Sequence, residues 1–508
     1  MNMKPLQAII TIERGRIIGI EPFEGAVIIV SEQGRHEYPG AYVIPGLVDA
    51  HCHLHAMGEL LNGLMLYNIS SKENVLKACV NSTSRRGDWI YGMGWNQEHW
   101  DEKTYPHAHD LDALFPDIPV YLRRADGHAA WANTRAMMLA GIDKHTKDPE
   151  GGSIMHDELG NPTGIFIDNA MDLIATHIPL QSKDEIILNI RAATSLCSSF
   201  GITEVHDMDV HPDLLPIYLE LAESGILPIR IQSYVKAQND EWSVHGCLPA
   251  GGEFMRIAGL KFFSDGALGS RGAAMLEPYA DANHCGLILM DEETLYQKAK
   301  QGIEEGFSIA THAIGDKANQ LVINAYQRLR NEGIADADTI LRIEHTQIVM
   351  PNDIDRMQSL DIKSIPQSIH CISDAQMAKT RLGNRMSIAY PWNSLITKGI
   401  RPAGSSDFPI ESANPLLGID AYCRRIPMGE TEPWMPEEII SQEDALLSYT
   451  LWAHEASGME YRRGKLMIKF DADLTIISQD IVHCPPKELL NTRVLATYSA
   501  GIRRFYTD

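Results

Sequence analysis

The sequence predicts an α/β protein: a (β/α)8 barrel flanked by β-rich chain ends, with a large insertion after the first barrel strand. Three observations predict it. Short apolar runs that end in polar or charged residues recur eight times through the middle of the chain, and helix-like stretches separate most of them. The two chain ends alternate apolar and polar residues in short bursts. One spacing, residues 55–199, is far longer than a single crossover helix needs.

Taken in order, the bursts Ala8–Ile12, Arg16–Ile20 and Ala26–Val30 read as a small sheet. The bursts Ala472–Ile477, Val494–Tyr498 and Ile502–Tyr506 repeat the pattern at the other end, so the two ends either pair in one discontinuous sheet or form separate hairpins. The eight runs are Gly46–His51, Gly201–Asp207, Ile229–Tyr234, Leu260–Asp265, Ser308–His312, Leu341–His345, Ile362–Gln367 and Arg401–Asp407. Helices are expected over 183–199, 212–224, 292–305, 316–332 and 351–359. A closing helix is expected over 441–457. Ser441-Gln442-Glu443-Asp444 is a variant capping box for it, and Gly458 is its stop. The expected domains are 1–45 and 459–508 at the ends and 46–458 for the barrel, with 55–199 as an insertion that covers the barrel mouth and sets substrate choice.

Composition bounds the rest. The 508 residues are 44% hydrophobic and 22% charged, which are globular values. Forty-four basic residues against 67 acidic give a net charge of −23, so nucleic acid and anionic membrane surfaces are poor partners. The eight cysteines contain no CxxC, and a disulfide framework is not expected. The opening residues lack a signal-peptide core, and no apolar run is long enough to span a bilayer. A cytoplasmic location is expected, with a small-molecule substrate as partner; a homodimer is compatible with the chain.

Most of the polar strand ends carry metal-ligating types. His51 and His53 are two apart, so in a strand they share a face and can serve one metal. By itself such a pair is a weak signal among 20 histidines. Later runs add His312, His345 and Asp407 at or near their ends, and Lys261 inside the fourth. A lysine in a barrel strand is costly unless it is paired or chemically altered. Histidines and an aspartate converging from separate strands at one barrel mouth make a sensible shell of nitrogen and oxygen ligands, with zinc the expected ion.

These residues carry a resemblance. Pro45–His53, Gly94-Trp95-Asn96, Asp126–Trp131, Gly201-Ile202-Thr203, Lys261–Gly266, Ser270-Arg271, Thr311–Asp316, Ile343-Glu344-His345, Gly404–Asp407 and Asp471–Leu474 run in the order found in the amidohydrolase superfamily. Within it the chain resembles the amidohydrolase-3 branch of YtcJ-like and N-substituted formamide deformylase-like metal-dependent hydrolases. The resemblance implies a TIM barrel plus a composite β-sandwich made from both chain ends. It puts His51, His53, His312 and His345 at metal-ligand positions. Lys261 falls where some members carry a CO2-derived lysine carbamate bridging two metals, and Asp407 falls at the acid that binds metal and takes the water proton. Two positions depart from the pattern: Asp168 stands where a glutamate is expected, and His55 adds a third histidine to the first motif.

The implied chemistry is attack of metal-activated water on a C–N bond of an amide or an N-formyl or N-acyl amine, with one or two divalent metals. Asp407 is the expected proton acceptor. His206 and His128 are candidates to stabilise the oxyanion; otherwise His206 is a satisfied histidine behind the ligands. Arg271 clamps a substrate carboxylate or pairs with Asp265 or Glu277. Trp95 and Trp131 line the substrate pocket or form the insertion's own core. Lys261 is a carbamate, or an ammonium paired with Asp265 or Glu204 beside a single metal. The alternatives on the same scaffold are a deaminase, an esterase or lactonase, an isomerase, or a catalytically silent regulatory or binding protein.

Overall fold

Seven parallel strands, neighbours in sequence order, make the central sheet of this computed structural model: β1 (Leu47–Cys52), β2 (Ile202–Val210), β3 (Arg230–Lys236), β4 (Met255–Phe263), β5 (Ser308–Ala313), β6 (Leu341–His345) and β7 (Lys363–Ile365). The structure describes residues 5–125, 127–149 and 151–507. Every residue of β1 and β6 is buried, as strands covered on both faces must be.

The eighth expected strand, 401–407, is not regular. Its backbone still closes the ring. Ala403 N–H donates to Ser364 O in β7 (2.9 Å), Ala50 N–H in β1 donates to Gly404 O (3.1 Å), and Asp407 N–H donates to His51 O (2.7 Å). The irregularity has local causes. Pro402 offers no N–H to a ladder. A Cβ on Gly404 would stand 2.6 Å from the Tyr449 ring. Asp407 is left-handed, at φ 55°.

The expected crossover helices are present as Lys183–Ser199, Leu215–Glu223, Glu292–Glu304, Asp316–Asn331 and Pro351–Ser359. Asp316–Asn331 shows the reason: Ala318, Val322, Ala325, Tyr326 and Leu329 recur every three or four residues and are buried on one face. The closing helix is two pieces, Gln442–Ser448 and Leu451–Glu455, because Thr450 takes the non-helical angles φ −134°, ψ −98°. Its cap forms as expected, with Asp444 N–H donating to Ser441 Oγ at 3.0 Å.

The N-terminal and C-terminal bursts lie in two different sheets, and one further strand of the N-terminal end pairs into the C-terminal sheet. Ala8–Glu13, Arg16–Pro22, Ala26–Ser31 and Gly34–Pro39 form one four-stranded sheet. Leu474–Ile477, Val494–Ser499 and Ile502–Tyr506 form another, completed by Tyr42–Pro45. Ala8, Ile10, Ile12, Val27 and Ile29 of the first meet Val43, Leu474, Ile476, Ala496 and Tyr498 of the second in one core. The strand period of two supplies each apolar face.

Both ends group with the barrel in one unit, Met1–Leu54 with Thr194–Asp508; His55–Ala193 is a second unit. That unit holds a six-stranded sheet with an apolar cluster on each face. Consecutive residues divide between the faces: Leu122, Trp131 and Ile165 lie in one cluster, and Tyr121, Ala130 and Phe166 in the other. Among the described residues no helix is long and apolar enough to cross a membrane.

Candidate metal centre

The ends of β1, β5 and β6 and the irregular stave bring five of the sequence-singled residues together. His51 Nε2 lies 3.3 Å and His53 Nε2 3.1 Å from Asp407 Oδ1. The His345 ring stands 5.1 Å from His51 and 4.4 Å from His312, centre to centre. Ligand atoms of His51, His53 and Asp407 lie within 4.8 Å of one another. Asp49, buried under β1, fixes the acid from behind by accepting from the Ser406 N–H (3.0 Å) and hydroxyl (2.5 Å).

The second nitrogen of three of these rings is committed. His53 Nδ1 donates to Met208 O at 3.0 Å; a carbonyl can only accept, so this nitrogen carries the proton. His51 Nδ1 meets Glu344 Oε2 at 2.6 Å. Glu344 is itself clamped by Arg342, with Nε 2.6 Å from Oε1 and Nη2 3.0 Å from Oε2. That guanidinium and His51 hold the buried Glu344 carboxyl far below the glutamate range, against the upward push of burial. His345 Nδ1 meets Gln367 Oε1 at 2.7 Å, and the amide orientation follows from Gln367 Nε2 donating to Ile365 O at 3.1 Å. Each ring is therefore oriented through Nδ1, as metal-binding histidines are, and its Nε2 lone pair is left for another partner.

That arrangement tests the fit of a cation. Lone-pair nitrogens of His51 and His53 facing a carboxylate oxygen repel unless a proton or a metal ion lies among them. Buried Lys261 Nζ has no hydrogen-bond partner among the described residues, and buried His312 Nε2 makes no hydrogen bond there but stands 3.3 Å from Asp265 Oδ1. Burial, followed by the nearby Lys261 charge, lowers the His312 pKa to about 3 and keeps that ring neutral. Burial favours protonated Asp407, yet His51 and His53 hold it well below the carboxylate range. Asp407 (φ 55°) and His345 (φ 73°) both occupy left-handed backbone, strain of roughly 1–3 kcal/mol each that clusters at functional sites. A neutral His312 ring, an ionised Asp407 carboxylate that raises the His53 pKa against the pull of burial, and an unpartnered Lys261 Nζ fit a divalent cation.

Lys261 is fully buried, with Nζ 4.2 Å from the centre of the Phe263 ring. No ion pair to Asp265 or Glu204 forms among the described residues. Asp265 accepts the N–H groups of Ala274, Ile314 and Gly315, and Glu204 takes Gln232 and Arg463. Burial pushes the lysine pKa down.

The other candidates are placed elsewhere. His206 is wholly buried; Arg342 Nη1 approaches its Nδ1 at 3.0 Å, and Glu204 stands 3.6 Å from Nε2. Its Nε2 has no hydrogen-bond partner among the described residues, and burial lowers its pKa to about 4. Arg271 pairs with Asp281 (3.1 and 2.8 Å), not with Asp265 or Glu277. Trp95 and Trp131 belong to the insertion's core, and Trp95 Nε1 donates to Leu122 O at 2.8 Å. His128, in the second unit, has Nδ1 2.8 Å from Asp168 Oδ1 with its side chain 73% exposed. Asp126 lies outside the described residues.

Two groups of functional interest went unassigned in the sequence reading. Glu344 stood in a quoted motif without a role. His370 lies within 4.8 Å, ligand atom to ligand atom, of His345 and Asp407. The available signal was a histidine three residues after the polar end of the seventh run.

Residues 39–504 match the amidohydrolase family. The chain is 35% identical over 463 residues to "Putative amidohydrolase YtcJ" of Bacillus subtilis (strain 168), covering 89% of this chain and 86% of that one. It is 25% identical over 487 residues to N-substituted formamide deformylase of Arthrobacter pascens, covering 92% and 89%. The crystal structure of an uncharacterized metal-dependent hydrolase from Pyrococcus horikoshii OT3 superposes with a TM-score of 0.78 at 26% identity, covering 95% of this chain and 99% of that one. The barrel, the histidine–aspartate cluster at its strand ends and the match across nearly the whole length agree: this chain belongs to the amidohydrolase family.

Proposed function

We propose that the chain is a metal-dependent hydrolase of non-peptide C–N bonds in small molecules: amides, N-formyl amines or N-acyl amines. The observation that carries this is the grouping of His51, His53 and Asp407 with every Nδ1 in the pair tied back. The similarity to a formamide deformylase supports the choice of bond. No expected ligand is missing, which favours an enzyme over a silent binding protein. Zinc suits the nitrogen and oxygen donors.

His51, His53 and Asp407 would hold one cation, with His312, His345 and Lys261 the remaining donors of the centre. A divalent ion there lowers the pKa of a water toward ~7 and polarises a carbonyl. Asp407 takes the water proton on a carboxylate oxygen and delivers it to the leaving nitrogen. Glu344, through His51 Nδ1, keeps that ring in the ligating tautomer. Buried Lys261, as the neutral amine, adds CO2 and releases a proton to give an anionic carbamate that offsets two metal charges. Lys261→Ala should then lose activity and recover part of it with short-chain carboxylic acids.

The test is turnover on a panel of N-formyl and N-acyl amines beside matched esters, lactones and aminated heterocycles. Faster hydrolysis of one C–N class than of any ester supports the reading. Turnover confined to esters or deamination overturns the choice of bond.

A further inference from the structure

We infer that His370 is a metal-binding side chain: with His345 and Asp407 it forms a divalent-cation position that shares Asp407 with the position of His51 and His53. This rests on the metal-dependent reading above and extends it by a ligand outside the first, fourth, fifth, sixth and eighth runs.

The helix Ser368–Leu382 begins just beyond β7 and carries His370 on its first turn. The residue before that helix, Gln367, does not cap it with its side chain. The amide is spent instead on His345 Nδ1 (2.7 Å), Ser405 Oγ (2.9 Å) and Ile365 O (3.1 Å). One residue thus orients His345, ties β7 to the irregular stave and sets the start of the helix that bears His370. The two imidazoles lie nearly parallel, 18° apart, with centres 6.4 Å from each other.

His370 Nε2 is buried and has no hydrogen-bond partner among the described residues. A buried polar atom without a partner forgoes its hydrogen bond to water and gains none in exchange, so its position calls for a ligand. Zinc–nitrogen and zinc–oxygen bonds of about 2.0–2.2 Å keep two ligand atoms of one ion no more than about 4.4 Å apart. Here the ligand atoms of His345, His370 and Asp407 lie within 4.8 Å of one another, on the scale of that limit. Asp407 has two carboxylate oxygens, and Oδ1 already faces His51 and His53. Sharing one carboxylate between two cations needs no further acid. The chemical class is a borderline divalent cation such as zinc, cobalt or cadmium, because the donors are two imidazoles and one carboxylate.

Full-length protein stripped of metal is titrated with cadmium(II), and bound metal is counted by equilibrium dialysis with elemental analysis. Wild type should bind two equivalents. His370→Ala should lose one of them, or bind it at least tenfold more weakly, while the His51→Ala, His53→Ala double variant keeps the His370-dependent one. His370→Cys should show a thiolate-to-cadmium charge-transfer band absent from wild type, and that band decides the matter if the alanine variant does not fold. Unchanged stoichiometry and affinity in His370→Ala, or cadmium binding to His370→Cys without the band, overturns the inference and leaves His370 to the substrate. Wild type that binds no metal at all sinks the hydrolase reading itself.

Discussion

Asp407 donates its N–H to the β1 backbone, faces two imidazoles through Oδ1, and holds a strained φ of 55°. Asp407→Asn keeps the shape and removes the proton acceptor, so kcat should fall by about 10²–10⁴-fold with the circular dichroism spectrum unchanged. Near-wild-type turnover would mean that another base is used. Glu344 acts one bond further out. Glu344→Gln loses the anion that orients His51, and metal affinity should drop by about 10–100-fold in a chelator competition; undiminished affinity would remove its positioning role. The sequence made the ligands legible because strand-end histidines and an aspartate follow a visible pattern. Glu344, Gln367 and His370 were hidden for a physical reason: their roles depend on which strand neighbours which, and a hydrogen bond such as His51 to Glu344 joins residues 293 apart. Arg271 misled for a different reason: its partner Asp281 is local, 10 residues on, and loop conformation decides which nearby acid it meets.

Barrel strands were readable as apolar runs, and their helices as three-to-four-residue periodicity. The eighth stave was readable in composition and not in conformation, because Pro402 and Gly404 override the run around them. Below the strands, an ionic lattice joins the barrel to the C-terminal sheet. Arg463 pairs with Glu204 at 2.6 Å and Asp471 at 3.0 Å, and Arg230 pairs with Asp473 at 2.8 Å. All five side chains are nearly inaccessible to solvent. Arg463→Ala strands the buried Glu204 carboxylate, while Asp471 keeps Arg462, so urea unfolding should show a loss of about 3–5 kcal/mol. A loss within 0.5 kcal/mol, the scale of ordinary surface changes, would show that the lattice is not holding the two elements together. The pairing of the chain ends into two sheets with one core was the least legible element, because short alternating strands fix faces and not partners.

At the scale of the molecule, the chain divides into a barrel unit and an inserted unit, and we propose that the insertion sets substrate choice. Exchanging a loop within 55–193 for a relative's should change the ranking of acyl groups more than the bound metal; loss of metal with ranking unchanged would contradict that division. Acid stability of metal-free protein follows from buried groups. Burial lowers His206 to about 4 from an ordinary 6.5. The unfolded chain therefore takes up that proton first, and stability should fall as pH drops from 6.5 towards 4. Glu204 and Glu344 are depressed, so their contribution is present above the ordinary 4.5 and is lost below it. A thermal-melt series should show a smaller loss between pH 6.5 and 4 in His206→Gln than in wild type; the same pH dependence in both would contradict this. The most direct test of the metal centre is the metal-to-protein ratio by elemental analysis in wild type and in the His51→Ala, His53→Ala double variant, purified in parallel with zinc. The expected result is at least one equivalent in wild type and the loss of one in the variant with the fold intact. An unchanged ratio would show that the cluster at the ends of these barrel strands is not where this protein holds its metal.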